Sequence, residues 1–495
     1  MKIRQWGAMA ALCGVCFLLA GCPPGSSSSQ HDFLTDANTD DEPGPFQLGG
    51  AVSGLAQGES LKLIKKHHEF LTVSQNGAFR FPDGVLKGAH YEAGVAVQPQ
   101  NQLCRVQPGT GTIAGAAVDG IQVACETRQQ VLLSVAKWKI DSFLSDAKTG
   151  GLTHASGAPY WHDNYSLYDF AVAPSGGWGV SSIGGISHLD SAILTERKLD
   201  AFSIDPVSGN VQLKPFEFPD LTDGPIAIGF SPTGEHLIGL QFEQRTALSQ
   251  SIDPTTGSTR GAPDVRSMNH PAYAMAIDSS TRRVYSIDAG PTCFLTTSNL
   301  DDQTGAVTPN ASLALPHTVQ PENVPWCYET GSGTDIPLIS PLYGRNDRPW
   351  IKVNPQGTLI FVSMPKARAI YMYALDAHTR LPYLQGTADL GEGTAGAVAV
   401  SPDGTRLYVS DWTSPRIFGF DILAHEGVVR ALRGSPFTTW SKTTDIAIDA
   451  SQTHLYGITN PSSVETFAID PTTGALTHGA STQTVEFPTR IVFAP

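Results

Sequence analysis

The sequence is short of positive charge and of charge in general. Only 16% of its 495 residues are charged, and 32 Lys and Arg stand against 46 Asp and Glu, a formal net charge of −14. A phosphate-binding surface needs concentrated basic residues, so nucleic acid is excluded as a partner. Methionine is scarce at 6 residues, whereas 49 glycines and 35 prolines indicate a turn-rich β protein.

The usual catalytic and cofactor signatures are missing as well. The chain has no HExxH zinc motif, no Gly-x-Ser-x-Gly elbow and no glycine-rich phosphate loop. We therefore expect no metal and no cofactor. Any active site must then be assembled from separate loops.

The first 21 residues have the features of a secretory signal. Lys2 and Arg4 precede an apolar stretch, residues 8–20, that is too short to span a bilayer. The string Leu19-Ala20-Gly21-Cys22 resembles the bacterial lipobox, which implies cleavage before Cys22 and lipidation of that cysteine. By the same resemblance, Pro23 favours the outer membrane of a Gram-negative bacterium. The alternative is an ordinary signal peptide that happens to contain Cys22.

Residues 22–45 predict a lipidated cysteine followed by a disordered tether. This stretch contains Pro, Gly, four consecutive serines and several acids, a composition that cannot bury a core. The partner we expect here is the membrane, reached through the lipid anchor.

Four cysteines remain beyond Cys22, namely Cys104, Cys125, Cys293 and Cys327. An even number in an oxidising compartment predicts two disulfides. Proximity in sequence and the domain boundary favour Cys104–Cys125 and Cys293–Cys327. A zinc site is the competing interpretation, but neither pair has the CxxC spacing that such sites favour.

Residues 46–127 predict a small β-sandwich. Apolar and polar residues alternate in short runs that are broken by Gly and Asn, as in Leu71-Thr72-Val73 before Asn76-Gly77. With Gly50 to Leu55 and the string Val123-Ala124-Cys125, this order resembles an immunoglobulin-like module of the kind that follows the anchor in bacterial surface lipoproteins.

From residue 128 to residue 495 an apolar strand, a tight turn and a second apolar strand recur. The turn is clearest at Ser401-Pro402-Asp403-Gly404 and has equivalents at Pro174, Pro232 and Pro355, with degenerate copies near Ser279 and Ala450. Pro presets φ and Gly completes the reversal. A typical separation of about 47 residues lies in the range of propeller blades.

A second turn motif falls between these copies. It reads Asp-Pro-x-x-Gly at Asp205, Asp253 and Asp470, with a weaker match at Asp302. Its repetition indicates a structural hairpin rather than a catalytic aspartate.

The ends of the array determine the predicted number of blades. Residues 490–495 match the first strand of a blade that stops at its turn, and the missing strands follow Val131. We therefore expect an all-β fold, a seven-bladed propeller whose last strand completes the first blade, preceded by the sandwich. A six-bladed ring or a long sandwich is the alternative.

Two strings carry a resemblance to a known family. Ser401 to Val409 reads Ser-Pro-Asp-Gly-Thr-Arg-Leu-Tyr-Val, and Asp470 to Leu476 reads Asp-Pro-Thr-Thr-Gly-Ala-Leu. Both resemble the lactonase-like seven-bladed β-propellers, which include bacterial 6-phosphogluconolactonase and the YVTN repeats. The resemblance implies the fold, and with it either ligand binding or the hydrolysis of a sugar lactone.

Site residues are expected where loops converge on one mouth of the propeller. The polar and aromatic candidates in those loops are His162, Asp163, Asp223, His270, Arg348, Glu392, Asp411, Trp412 and Arg490, with Asp288 and Lys366 beside them. Together with the lipobox-like string, such a set predicts a cell-envelope lipoprotein whose propeller binds a protein partner or a small, sugar-like ligand. The alternative is a lactonase-like hydrolase, in which a His or carboxylate activates water.

Overall fold

The computed structural model describes residues 45–65, 69–99, 102–127, 130–136, 139–161, 166–184, 197–214, 224–242, 244–278, 280–288, 293–315, 349–364, 367–423 and 426–494. The regular secondary structure of these residues consists of β-strands. Pro45–Pro495 forms one compact unit. Across these ranges we find no helix with the length and apolar character needed to cross a bilayer.

The N-terminal strands form two four-stranded sheets, ordered β4-β1-β8-β6 and β3-β2-β5-β7. Their bounds are β1 Leu48–Ser53, β2 Leu61–Lys65, β3 Glu69–Val73, β4 Gly77–Arg80, β5 His90–Val97, β6 Gln102–Gln107, β7 Thr110–Thr112 and β8 Val118–Thr127. Both sheets contribute to one core, which includes Leu48, Leu63 and Ile121.

The predicted disulfide of this module is present. Cys104 on β6 and Cys125 on β8 lie opposite each other, are joined by a disulfide and have Cα atoms 4.0 Å apart. It links two adjacent strands at the end of the module. Cys293 is also disulfide-bonded. Its predicted partner, Cys327, lies outside the described residues.

Seven sheets make up the rest of the described chain, and they confirm the predicted seven blades. Blade 1 consists of β9 Gln130–Ala136, β10 Lys139–Ser145, β11 Leu152–His154, the short β12 Tyr160–Trp161 and the last strand, β38 Pro488–Ala494. Blade 2 is β13 Ser166–Val172, β14 Trp178–Gly184, β15 Arg197–Ile204 and β16 Val211–Lys214. Blade 3 is β17 Ala227–Phe230, β18 His236–Gln241, β19 Thr246–Ile252 and β20 Thr259–Ser267.

The remaining four blades follow the same order of strands. Blade 4 is β21 Ala272–Asp278, β22 Arg283–Asp288, β23 Phe294–Leu300 and β24 Val307–Ala314. Blade 5 is β25 Trp350–Val353, β26 Leu359–Ser363, β27 Ala369–Leu375 and β28 Pro382–Asp389. Blade 6 is β29 Ala395–Val400, β30 Arg406–Asp411, β31 Arg416–Leu423, β32 Val428–Ala431 and the short β33 Phe437–Thr438. Blade 7 is β34 Thr443–Ile448, β35 His454–Thr459, β36 Ser463–Ile469 and β37 Leu476–Gln483.

The innermost strands form a closed ring. Each of β38, β13, β17, β21, β25, β29 and β34 contacts the next, and β34 returns to β38. Strand β38 pairs antiparallel with β9, with Ala494 opposite Val131 and Pro488 opposite Ala136. The end of the chain therefore completes the first blade and gives β9 a paired strand on each side.

The two predicted turn motifs form as hairpins. The glycines of the Pro turns, such as Gly404 at φ 71°, adopt the left-handed backbone that favours glycine. In the second motif the Asp accepts the N–H groups two and three residues ahead. The weaker match is corrected from Asp302 to Asp301, whose carboxylate accepts from Gln303 and Thr304. The correct spacing is four residues from Asp to Gly, which Asp301 and Gly305 satisfy.

Candidate functional site

A cavity opens at the centre of the propeller, between five innermost strands. The cavity is small and open to solvent, with about 50 Å³ accessible to the centres of water-sized molecules. Its walls come from β13, β17, β21, β25 and β38, together with Ile226 and Pro349, which precede two of these strands. Polar side chains on the wall are Asp169, Tyr273, Lys352 and Arg490.

One register position of the innermost strands supplies most of this wall. Counting five residues back from each inner turn position gives Asp169, Ala227, Ala274, Trp350, Ala397, Asp445 and Arg490. A bulge directly precedes this position in β13, β21, β34 and β38. Bulges change the direction of the side chains that follow them, and they are common beside functional sites. Five of the seven side chains line the cavity.

Asp169 and Arg490 form an ion pair in the cavity wall. The Nη1 atom of Arg490 donates to Oδ1 of Asp169 at 2.7 Å, and both side chains are largely buried. Asp169 also accepts the N–H of Phe170 at 2.9 Å and, through Oδ2, the N–H of Ile228 in the next blade at 3.0 Å. The carboxylate therefore positions the guanidinium and joins two blades.

The guanidinium of Arg490 has a hydrogen-bond donor that Asp169 does not use. Its Nε atom is buried and makes no hydrogen bond in the structure. Burial lowers the pKa of Arg490 to about 10, which still leaves the side chain charged at neutral pH. A charged, buried donor group beside a cavity can bind an oxygen atom that carries or develops negative charge.

Asp445 is the counterpart of Asp169 in blade 7. Its Oδ1 accepts the N–H of Ile446 at 2.9 Å, and its Oδ2 accepts the N–H of Ile491 in blade 1 at 3.0 Å. Burial raises the pKa of Asp445 to about 7, and the Ile491 N–H and the charge of Lys352 offset only part of that rise. Lys352 is exposed on β25 and lines the cavity.

The predicted site residues lie in different places. Arg490 lines the cavity, inside β38 rather than ahead of it. His270 lies before β21 and stacks on Phe294, with ring centroids 4.6 Å apart and the planes 7° from parallel. Glu392 is exposed before β29. The candidates His162, Asp163, Asp223, Arg348 and Lys366, like Cys22, lie outside the described residues.

Asp411 and Trp412 are held by local contacts at the end of β30. Burial alone would raise the pKa of Asp411, but hydrogen bonds from Thr413, Arg416 and Thr394 lower it below its ordinary value. Arg416 makes two of these bonds, at 2.9 and 2.6 Å. Trp412 lies under the ammonium of Lys442, which is 4.5 Å from a ring centroid. We assign Asp411 a structural role, because its oxygens are committed to these donors.

Asp288 occupies the same place in blade 4 without those partners. Its carboxylate is fully buried, and neither oxygen makes a hydrogen bond of normal geometry. By strand register, the positions that match Thr394 and Arg416 in blade 6 are Pro271, which has no N–H, and Phe294, which has no guanidinium. Burial raises the pKa of Asp288 to about 6, and the Ser286 and Thr296 hydroxyls offset only part of this.

Sequence reasoning missed Asp169, Lys352 and Asp445. The signal that could have found them is a charged residue at a strand position where other blades carry Ala or another apolar residue. Within the described ranges, no three His, Cys, Asp or Glu side chains are grouped so as to hold a metal ion.

Comparison with known proteins bears on the propeller alone. Residues 351–493 match the family model described as Lactonase, 7-bladed beta-propeller. The propeller is lactonase-like. The match runs from β25 to β38 and confirms the resemblance that the two turn strings carry. No curated protein matches the chain.

Solved structures agree with this fold. The periplasmic gluconolactonase of Pseudomonas aeruginosa is 14% identical, with a TM-score of 0.56 over 74% of this chain and 98% of that one. A protein of Lactobacillus plantarum is 16% identical, with a TM-score of 0.53 over 74% and 99% of the two chains. At such low identity these similarities establish the fold and no more.

Proposed function

We propose that the propeller hydrolyses a sugar lactone in its central cavity. The observation that carries the proposal is Arg490, a buried guanidinium in the cavity wall that Asp169 positions and whose Nε–H makes no hydrogen bond. The match to the lactonase family model and the fold shared with a gluconolactonase support this choice over other hydrolyses.

The cavity residues can take separate chemical roles in lactone hydrolysis. Water adds to the lactone carbonyl carbon, and the carbonyl oxygen becomes an oxyanion that Arg490 stabilises. The attacking water gives up a proton to a second water molecule, because both oxygens of Asp169 already accept N–H groups. The ring C–O bond then breaks, the leaving oxygen takes a proton, and the product is a hydroxy acid. Lys352 adds a second positive charge for that anionic product.

Hydrolysis of glucono-1,5-lactone by the purified protein tests the proposal. Arg490→Ala should reduce turnover by about 100-fold, the typical loss for an oxyanion donor. Arg490→Lys should restore part of it, because the charge remains while the planar fork is lost. Arg416→Ala is the matched control, since it removes an arginine paired with an aspartate away from the cavity. If the protein hydrolyses glucono-1,5-lactone and a panel of other sugar lactones no faster than buffer, the proposal fails.

Ligand binding without turnover is the second candidate. It is favoured by the hydrogen bonds of Asp169, the acid in the cavity wall, because both of its oxygens already accept N–H groups. A site of that kind can hold an anionic sugar without a reaction. A rise in melting temperature with gluconate, lost in Arg490→Ala and without turnover of any lactone, would support this candidate.

We also propose that the protein is a lipoprotein of the cell envelope, anchored in the outer membrane. The support is the string Leu19 to Cys22 followed by Pro23. Cys22→Ala should move the protein from the membrane fraction to the soluble fraction of a Gram-negative host. Unchanged fractionation would contradict lipidation at Cys22.

A further inference from the structure

Asp288 is a fully buried carboxylate at the end of β22 in blade 4. Neither of its oxygens makes a hydrogen bond of normal geometry, and no Lys, Arg or His of the described chain forms an ion pair with it. An unpaired charge buried in a protein is strongly unfavourable. Such a group must therefore either bind a counter-ion or give up its charge.

Blade 6 shows how the same position is neutralised from within the chain. Arg416, the first residue of β31, donates to the carboxylate of Asp411 at 2.9 and 2.6 Å. By strand register the matching residue in blade 4 is Phe294, which lies opposite Asp288. The Phe294 ring stacks on His270, with centroids 4.6 Å apart. Blade 4 therefore keeps the acid but supplies no guanidinium at this register.

The next pair of side chains on the two strands also differs between the blades. In blade 6 it is Val409 opposite Phe418, whereas the matching pair in blade 4 is Ser286 opposite Thr296. Residues two apart on a strand face the same side, so both hydroxyls share a side of the blade with Asp288. Burial raises the pKa of Asp288 to about 6, and the two hydroxyls act against that rise. Hydroxyl oxygens thus replace apolar groups beside the acid that has no guanidinium.

These hydroxyl oxygens are available to a ligand. Oγ of Ser286 is buried and makes no hydrogen bond. Oγ1 of Thr296 lies 2.9 Å from Oγ of Ser312, and either hydroxyl can be the donor. When Thr296 donates to Ser312, the lone pairs of its own oxygen stay free. Together with the carboxylate of Asp288 they make a set of oxygen ligands, which hard cations prefer.

The charge of this set favours a monovalent cation. Asp288 supplies one negative charge, as Asp411 does for the single guanidinium of Arg416. A divalent ion would leave a net positive charge in a buried place. In the part of the chain that the structure describes, no further His, Cys, Asp or Glu side chains are grouped to offset it. One alkali cation leaves the set neutral.

We propose that Asp288 and the hydroxyls of Ser286 and Thr296 bind a sodium ion, which takes the place of the guanidinium in blade 6. The ion supports the inner strand of blade 4, because Asp288 lies opposite Ala272 and residues 273–275 line the cavity. The proposal stands apart from lactone hydrolysis and is tested without any turnover.

Thermal unfolding in NaCl and in choline chloride tests the inference, because the two salts share the anion and choline is too large for a buried site. At about pH 8, the melting temperature should rise by on the order of 2 °C when about 150 mM NaCl replaces choline chloride. Asp288→Asn should abolish this rise, since the amide keeps the shape and loses the charge. Asp411→Asn is the matched control, because it removes the equivalent acid of blade 6 and should keep the response to Na⁺.

Two further variants keep the test decisive if Asp288→Asn does not fold. Phe294→Arg should place a guanidinium where Arg416 stands in blade 6, and the melting temperature should then no longer depend on Na⁺. Ser286→Ala keeps the charge and removes one oxygen. It should raise the Na⁺ concentration that gives half of the rise by about five-fold.

Equal melting temperatures of the wild type in the two salts would overturn the proposal. An undiminished rise in Asp288→Asn or in Phe294→Arg would overturn it as well, as would loss of the rise in a folded Asp411→Asn variant. A rise with about 1 mM CaCl₂ but none with NaCl would show that the choice of a monovalent ion is wrong.

Discussion

Asp169 and Asp445 show how single side chains join the blades. In each, one carboxylate oxygen accepts an N–H group of its own strand, and the other accepts an N–H group of a neighbouring blade. Removing the carboxylate would leave buried N–H groups unpaired, which costs more than the net gain from making a hydrogen bond. The two acids therefore stabilise the ring, and Asp169 in addition orients Arg490.

Asp445 should make stability depend on pH near neutrality. The pKa of Asp445 is raised to about 7 in the folded protein. As pH rises, this carboxyl group therefore loses its proton in the unfolded chain before it does so in the folded one. The stability that Asp445 contributes is then full below about pH 4 and is lost as pH rises through about 7. Compared with Asp445→Asn, the wild type should lose on the order of 3–4 kcal/mol of its advantage between these limits. Urea unfolding at several pH values measures the difference.

Asp449→Asn is the control of opposite sign. Burial alone would raise the pKa of Asp449, but its bonds to His454, Ser451 and Thr453 lower it below the ordinary value. The stability that Asp449 contributes should therefore be present above about pH 4 and be lost as pH falls. If Asp445→Asn and Asp449→Asn change the pH profile in the same direction, the assignment of Asp445 is refuted.

At the scale of elements, the hairpin after the third strand depends on one aspartate in six of the seven blades. Asp205 accepts the N–H groups of Val207 and Ser208 at 2.9 and 2.7 Å, and these bonds lower its pKa. Asp205→Ala should cost about 1–2 kcal/mol of unfolding free energy, and Asp205→Asn less, because an amide oxygen still accepts. Lactone turnover should stay unchanged in both variants. A loss of turnover in a folded Asp205→Ala variant would mean that the hairpin is more than structural.

Elements were predictable from the sequence because turn chemistry is local. The Pro and Asp turns need particular residues at fixed offsets, so the repeat, the blade count and the closing strand could be inferred. The two buried acids of the innermost strands could not be predicted. Asp169 and Asp445 appear as isolated polar residues in apolar strands, and the bulges that turn them are invisible in the sequence. Asp411 and Asp288 occupy matching positions in their blades. Only the residues around them distinguish the hydrogen-bonded carboxylate from the one that lacks those partners.

Over the whole molecule, the ring is closed by hydrogen bonds and packing between the two ends of the propeller. Strand β38 pairs with β9, and the Ser145 hydroxyl bonds that of Tyr456 at 2.7 Å across blades 1 and 7. A core of Leu132, Phe143, Tyr456 and Ile491 lies between these blades. Opening this junction would expose two blade faces together. The chain runs from β37 into β38, so the non-covalent step of closure is the pairing of β38 with β9.

Ile491→Ala tests whether closure is cooperative. Ile491 is 4% exposed, and losing its side chain should cost about 2–5 kcal/mol. Hydrogen exchange should then lose protection in blades 1 and 7 at once, because both depend on one junction. Ile360→Ala is the matched control, a fully buried isoleucine between blades 4 and 5, away from the closing strand. If Ile491→Ala changes exchange only within β38, the blades at the junction open independently, and pairing of β38 with β9 does not stabilise blade 7.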